Sequence, residues 1–149
     1  MKLIPIKYSE LKSRQKENYN FQKVSAVFAD YGFVTIRLSD DWQGADFIAS
    51  HINGVQFLKV QLKSRLTVDT KYKDKDIWIC FKHKDFWYLF LHDDFLRWAL
   101  KDLKIGITKG WKESDNWTLV QGVYSWPSPS KEILRWLKTY KFESLKEIP

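Results

Sequence analysis

The sequence predicts a mixed α/β fold, in which a central mixed sheet is flanked by helices. Three observations predict it. Apolar residues recur at helical spacing between residues 21 and 31. Two strand-like runs, residues 46–52 and 55–63, are joined by Asn53-Gly54, a dipeptide typical of a tight hairpin turn. Two more strand-like runs and a helical pattern follow between residues 77 and 101.

The N-terminal part of the chain predicts a helix followed by a strand. The helical face consists of Phe21, Val24, Val27, Phe28 and Tyr31. Gly32 follows it as a stop signal. The polar residues 9–16 are interpreted as a separate helical turn or an arm, residues 33–37 as a strand, and residues 39–44 as a loop.

The C-terminal part predicts two strands and two helices. Residues 64–76 are interpreted as a polar, lysine-rich connection, residues 77–81 and 86–91 as strands, residues 102–116 as a basic loop, and residues 117–120 as a strand. Asp93 or Asp94 can cap a helix that extends to Lys101. Ser130 can cap a last helix that extends to Tyr140.

Length and composition favour one domain over residues 1–149, with a core at about 15–101 and a C-terminal basic loop and helix at 102–149. The only cysteine, Cys80, excludes an internal disulfide and is expected to be a core thiol. No signal peptide and no membrane-spanning run is recognised, so a cytoplasmic protein is expected. The net charge of +7 is typical of a protein that binds a polyanion.

The hairpin brings three polar side chains to one patch. With Asn53-Gly54 as a two-residue turn, paired positions sum to 107, so Asp46 faces Gln61. Directly opposed residues have Cβ atoms ~5 Å apart. Lys63 projects from the same face as Gln61, because it is two residues further along the strand. The opposite face carries an apolar row: Leu58, Val60 and Leu62.

This patch contains groups that phosphodiester hydrolysis requires. Mg²⁺ prefers hard oxygen ligands, which the Asp46 carboxylate and the Gln61 amide oxygen can supply. Lys63 can orient the attacking water or stabilise charge that grows on the phosphate. The geometry alone supports an alternative equally well, namely a solvent-facing polar row on which Asp46 is a cross-strand ion-pair partner.

The segments GADFI (residues 44–48) and KVQLKS (residues 59–64) resemble the signature of the PD-(D/E)XK nucleases. Residues 22–33 resemble the first helix and strand of that family, and residues 87–96 resemble a later strand and helix. The resemblance covers about residues 15–101. It implies a restriction-endonuclease-like core, with Asp46, Gln61 and Lys63 as catalytic residues and Asp46 and Gln61 as metal ligands. It also implies Mg²⁺ as the cofactor, or Mn²⁺ in its place.

The chain departs from the family pattern in two ways. Gln61 is neutral where most members have an acid, although glutamine is a known variant; this puts a second metal ion in doubt. Many members also carry a glutamate on the first helix, and Phe21 stands at that position. Glu17 lies one turn earlier on the same face and is a candidate metal ligand if the helix extends that far. The alternative is that Glu17 is a solvated surface residue.

Cations near this patch are candidate DNA contacts, because phosphate contacts require only positive charge and reach. They are Arg65, Lys71, Lys73, Lys75, Lys104, Lys109 and Lys112. The alternative is a solvated basic face. Double-stranded DNA is therefore the expected partner. A homo-oligomer, a dimer or a dimer of dimers, is expected because one active site cuts one strand.

Together these features predict a Mg²⁺-dependent, site-specific DNA endonuclease. Within the family, the chain resembles the restriction-fold homing endonucleases that cyanobacterial group I introns encode. Two alternatives remain: a structure-specific nuclease such as a Holliday junction resolvase, and a DNA-binding module that keeps the fold without the chemistry. Intact Asp46 and Lys63 favour an enzyme, whereas neutral Gln61 and the missing acid on the first helix favour the module.

Overall fold

The computed structural model describes residues 1–105, 117 and 120–145, which form three α-helices and eight strands. A 3-10 turn, Tyr8–Glu10, precedes the first helix. The elements are α1 (Ser13–Asp30), β1 (Phe33–Trp42), β2 (Ala45–His51), β3 (Phe57–Lys63), β4 (Leu66–Asp69), β5 (Ile77–His83), β6 (Phe86–Leu91), α2 (His92–Asp102), β7 (Val123–Trp126), α3 (Lys131–Leu137) and β8 (Lys141–Phe142).

Six strands form one mixed sheet in the order β1-β2-β3-β5-β6-β8. Every neighbouring pair is antiparallel except β3 and β5, which are parallel. The parallel step requires a crossover, and β4 lies in it and pairs with β7 in a small second sheet. The predicted mixed α/β fold with a central mixed sheet and flanking helices is confirmed.

The two faces of the central sheet bury two separate apolar cores. The face under α1 packs Val24 and Phe28 of the helix against Phe47 and Val60 of the sheet. The opposite face packs against α2, α3 and the small sheet, around residues such as Phe90. The strand β3 contributes its apolar row to the α1 face, as its alternation predicts. Consequently, α1 is fixed across the strands that carry the candidate site.

Several elements are longer than predicted. The helix α1 begins at Ser13, so part of the polar segment interpreted as a separate turn or an arm belongs to it. The Gln15 side chain accepts a hydrogen bond from the Lys12 amide at 2.8 Å, which satisfies one of the free donors at the helix start. The strand β1 continues to Trp42, through most of the predicted loop.

The connection 64–76 was wrongly interpreted as polar throughout. It contains β4, whose Leu66 and Val68 are fully buried. This short apolar alternation was missed because most of the segment consists of charged and polar residues. Most of the predicted basic loop 102–116 and half of the predicted strand 117–120 lie outside the described residues.

The predicted tight turn at Asn53-Gly54 is wrong in type, although the predicted register is correct. The pairs from Phe47↔Val60 to Ser50↔Phe57 all sum to 107. The loop, however, is longer: the His51 amide bonds to the Gln56 carbonyl at 2.9 Å, and only Gly54 of the dipeptide has a positive φ. The two-residue turn with two positive φ angles lies instead at Gln43 and Gly44, between β1 and β2.

Cys80 lies at the centre of the sheet, on β5, where it pairs with Leu62 of β3 and Leu89 of β6. It is fully buried, and this burial raises the pKa of its thiol. The predicted core thiol is therefore confirmed. Within the described residues, no helix is both long and apolar enough to cross a membrane.

Candidate active site

A cleft of about 510 Å³ lies between α1 and the end of the sheet where β3 finishes. Its walls come from the 3-10 turn, α1, β1, β2 and the end of β3. The charged residues that line it are Lys16, Glu17, Arg37, Asp40, Asp41, Asp46 and Lys63. Asp46 and Lys63, which the sequence predicts to lie together, therefore line one cavity.

The position of Asp46 is fixed by the turn immediately before it. The Gly44 amide donates to Oδ1 of Asp41 at 2.7 Å, and the Gly44 carbonyl accepts from Nε2 of Gln61 at 2.8 Å. Gly44 has φ +95°, and a Cβ there would lie 2.4 Å from a ring carbon of Tyr72. Only glycine fits this turn, because a side chain would meet both backbone strain and the tyrosine ring.

The Asp46 carboxylate bridges to the neighbouring strand. Its Oδ2 accepts a hydrogen bond from the Leu62 amide at 2.7 Å. Although the residue is exposed to the cleft, the surrounding protein atoms desolvate the carboxylate, and this raises its pKa above the ordinary value. Repulsion from Asp41 and Glu17 adds to the rise, whereas the Leu62 amide and the Lys63 ammonium oppose it.

Gln61 directly precedes Leu62, whose amide binds the Asp46 carboxylate, but Gln61 itself does not line the cleft. The residue is 4% exposed, and its Nε2 donates a hydrogen bond to the Gly44 carbonyl. Its Oε1 is buried and has no hydrogen-bond partner among the described residues. Because a carbonyl oxygen can only accept, the amide nitrogen must face Gly44, and the free atom is the oxygen. A buried acceptor without a partner is costly, so this atom calls for an explanation.

The helix α1 includes Glu17, which was the condition for this residue to be a candidate metal ligand, and Glu17 lines the cleft. Within the described residues, no group of three or more histidine, cysteine, aspartate or glutamate side chains is arranged to hold a metal ion. A metal here would have to use Asp46, the Gln61 amide oxygen, Glu17 and water. The metal-ligand roles of these residues stay predictions.

The candidate DNA-contacting cations fall into three groups. Arg65, Lys71, Lys75 and Lys104 are exposed, and Arg65 directly follows the cleft residue Ser64. Lys109 and Lys112 lie outside the described residues. Lys73 is different.

The Nζ atom of Lys73 donates to the Trp117 carbonyl at 2.6 Å and to the Val120 carbonyl at 3.2 Å. The same ammonium lies over the Trp117 ring. Lys73 therefore joins two distant segments through hydrogen bonds, and its role as a DNA contact stays a prediction. Sequence spacing could not indicate this, because its partners lie more than forty residues away.

Four charged cleft residues were missed by the sequence interpretation: Lys16, Arg37, Asp40 and Asp41. Lys16 was assigned to the polar arm, and Asp41 to a loop that proves to be strand and turn. One signal was available for Asp41. An aspartate three residues before a glycine is typical of a side chain that accepts from the backbone of a turn, as Asp41 does.

Two solved structures are similar to part of the chain. One is that of a bacterial homing endonuclease, I-Ssp6803I, with 16% identity, a TM-score of 0.43, and coverage of 57% of this chain and 69% of that chain. The other is that of Hjc, a Holliday junction resolvase from Archaeoglobus fulgidus, with 16% identity, a TM-score of 0.34, and coverage of 50% and 74%. No protein-family model matches the chain. No curated protein matches it significantly. At these values neither likeness identifies a function, which has to follow from the residues of the cleft.

Proposed function

We propose that this protein is a Mg²⁺-dependent endonuclease that hydrolyses phosphodiester bonds in duplex DNA. The observation that carries the proposal is that Asp46 and Lys63 line one cleft, while the buried amide oxygen of Gln61, on the same strand as Lys63, has no hydrogen-bond partner among the described residues. An acid, a cation and a spare oxygen ligand are the groups that metal-assisted phosphodiester hydrolysis uses.

The residues present fit a magnesium ion. The donors within or beside the cleft are carboxylate and amide oxygens, which Mg²⁺ prefers over nitrogen or sulfur. Asp46 and Gln61 would hold the ion, with Glu17 as a further candidate across the cleft. The bound ion would polarise the phosphate and make a bound water more acidic. A ligand on Oε1 would also satisfy the one acceptor of Gln61 that the described residues leave unpaired.

Side chains of the protein supply the remaining functions, which are action on the water or the phosphate, positioning of Asp46 and binding of the substrate. Lys63 orients the attacking water or stabilises the charge that increases on the phosphate in the transition state. Gln61 holds the Gly44 carbonyl, and Asp41 holds the Gly44 amide, so both are positioning residues for Asp46. The substrate is held by cations at and around the cleft, because the chain carries a net charge of +7.

A homing endonuclease is the favoured biological role, and we propose that two or four copies act together, since one site cuts one strand. A DNA-binding module without catalysis is the second candidate. It is favoured because, in the described part of the chain, no three acidic, histidine or cysteine side chains are arranged to hold a metal ion. A resolvase would differ in its substrate, which would be branched DNA.

The test is a cleavage assay with linear duplexes that carry varied sequences and with four-way junctions, each with Mg²⁺ and with EDTA. We expect Mg²⁺-dependent cuts at defined positions in the duplex, and a mass by light scattering of at least two copies. Cutting restricted to junctions would favour the resolvase. Binding without cleavage under every condition would favour the binding module.

Gln61→Glu separates the two roles of Gln61, which are the proposed one as a metal ligand and the one as a donor to the Gly44 carbonyl. A glutamate offers a stronger ligand to Mg²⁺, but it cannot donate to the Gly44 carbonyl when ionised. We expect a lower thermal unfolding temperature than the parent in EDTA, a larger gain on adding Mg²⁺, and retained cleavage at lower Mg²⁺. Gln61→Leu should lose both the stability gain and most of the cleavage.

The matched control is Gln56→Glu, which makes the same change at an exposed position near the other end of the hairpin. It should respond to Mg²⁺ as the parent does. Gln61 is not a metal ligand if Gln61→Leu cuts DNA at the parent rate and gains as much from Mg²⁺.

A further inference from the structure

Arg37 is held at the edge of the cleft by neutral partners. It extends from β1 toward α1, where its Nη1 donates to Oδ1 of Asn18. Its Cζ lies 5.3 Å from the centre of the Phe21 ring. A long, exposed side chain normally samples many rotamers, and ordering it has an entropic cost. Contacts from α1 reduce that cost here, so the guanidinium is pre-organised beside the cleft.

None of its contacts within the described residues is an ion pair, although four carboxylates line the same cleft. The Asn18 amide oxygen takes one of five guanidinium donors and leaves the charge uncompensated. Of the other two cleft cations, Lys63 is assigned to chemistry and Lys16 lies over the Tyr8 ring. Arg37 therefore has both charge and donors available for a ligand.

The cleft requires such a group if it takes a phosphate. Its three cations and four carboxylates give a formal balance of −1 without a metal ion, and only +1 with the Mg²⁺ of the proposed function. A guanidinium binds two phosphate oxygens through parallel N–H donors, which a single ammonium cannot match. Loss of Arg37 would make the cleft more negative in either case.

We propose that Arg37 forms a binding site for a backbone phosphate of the DNA that enters the cleft, on the α1 side and separate from Lys63. This inference rests on the proposed function and adds a substrate contact to it. The contact is made in the bound substrate and in the transition state alike, so Arg37 contributes to affinity more than to the rate of the bond-breaking step.

The experiment compares DNA affinity, its salt dependence and cleavage for the parent and three variants. Arg37→Met keeps the aliphatic packing on Phe21 and removes the charge. Arg37→Lys keeps the charge and removes the parallel N–H donors of the guanidinium. Arg135→Ala removes an exposed arginine from α3, on the other face of the sheet. Binding is measured by fluorescence anisotropy in Ca²⁺, and thermal unfolding checks that each variant folds.

We expect Arg37→Met to weaken DNA binding about tenfold, the value of one charge-assisted hydrogen-bonding contact. The slope of log K against log salt should become shallower by about 0.9. The rate at saturating DNA should stay within about threefold of the parent, as expected for a contact made equally in substrate and transition state. Arg37→Lys should recover part of the affinity, and Arg135→Ala should match the parent in both affinity and slope.

Unchanged affinity and slope in Arg37→Met, with a parent that binds and cuts DNA, would overturn this inference and leave the proposed function intact. A parent that binds no DNA would overturn the proposed function itself. A parent that binds without cutting still tests Arg37, because affinity and salt slope do not depend on cleavage.

Discussion

Replacing Lys63 with alanine is expected to lower the rate of DNA cleavage by at least ~100-fold, the scale seen when one electrostatic stabiliser is removed. DNA affinity should change by only a few-fold, because a single ammonium is a point charge without the paired donors of a guanidinium. Lys63 lines the cleft with Asp46 and is close enough to oppose the rise of its pKa, and we propose that its ammonium acts on the water or on the growing charge. Single-turnover cleavage and gel-shift assays on the same preparations measure both effects.

Lys59→Ala is the matched control. Lys59 lies on the same strand and the same side of it as Lys63, but its Nζ donates to the Lys75 carbonyl outside the cleft. Its loss should leave the rate of cleavage near that of the parent. Full cleavage by Lys63→Ala, or an equal loss in Lys59→Ala, would refute the assigned role of Lys63.

Asp46→Asn is expected to abolish cleavage and to weaken Mg²⁺ binding, because the amide offers the metal no charge. The variant should fold, since its Oδ1 can still accept from the Leu62 amide. It should also be at least as stable as the parent at neutral pH. The reason is that the native fold desolvates the Asp46 carboxylate and places it near Asp41 and Glu17. Isothermal titration with Mg²⁺ and thermal unfolding test these expectations, and retained cleavage would remove Asp46 from the site.

The pH dependence has a definite sign. Because the pKa of Asp46 is raised in the folded protein, the folded state binds a proton there more tightly than the unfolded state does. The contribution of Asp46 to stability therefore falls as pH rises above the ordinary aspartate value of about 3.9. The stability advantage of Asp46→Asn should thus be absent below that pH and present at neutral pH.

The strand register could be predicted because it depends on symmetry rather than on the turn type. Any loop centred between Asn53 and Gly54 makes paired positions sum to 107, whether it has two residues or four. The alternation of Val60 with its polar neighbours then fixed which face is buried. Asp46 and Lys63 were accordingly predicted as neighbours from local pattern alone.

The rest of the candidate site depends on contacts between distant segments. The fit of Tyr72 against Gly44 and the hydrogen bond from Gln61 to Gly44 cross between elements that no spacing rule connects. Lys73 looked like its exposed neighbours, yet it is held by carbonyls from another part of the chain. Arg37 was assigned to a strand, and its place in the cleft follows only from how α1 packs.

The reaction of the buried Cys80 thiol with a reagent can measure how often the central sheet of this protein opens. Strands on both sides cover it, and its raised pKa keeps it protonated and unreactive. A thiol reagent can modify it only in molecules whose central strands have separated, and the single cysteine gives one unambiguous signal. A metal ion or DNA that binds the native cleft lowers the population of open molecules. The rate of Cys80 modification therefore registers ligand binding in every variant, including those that no longer cut DNA.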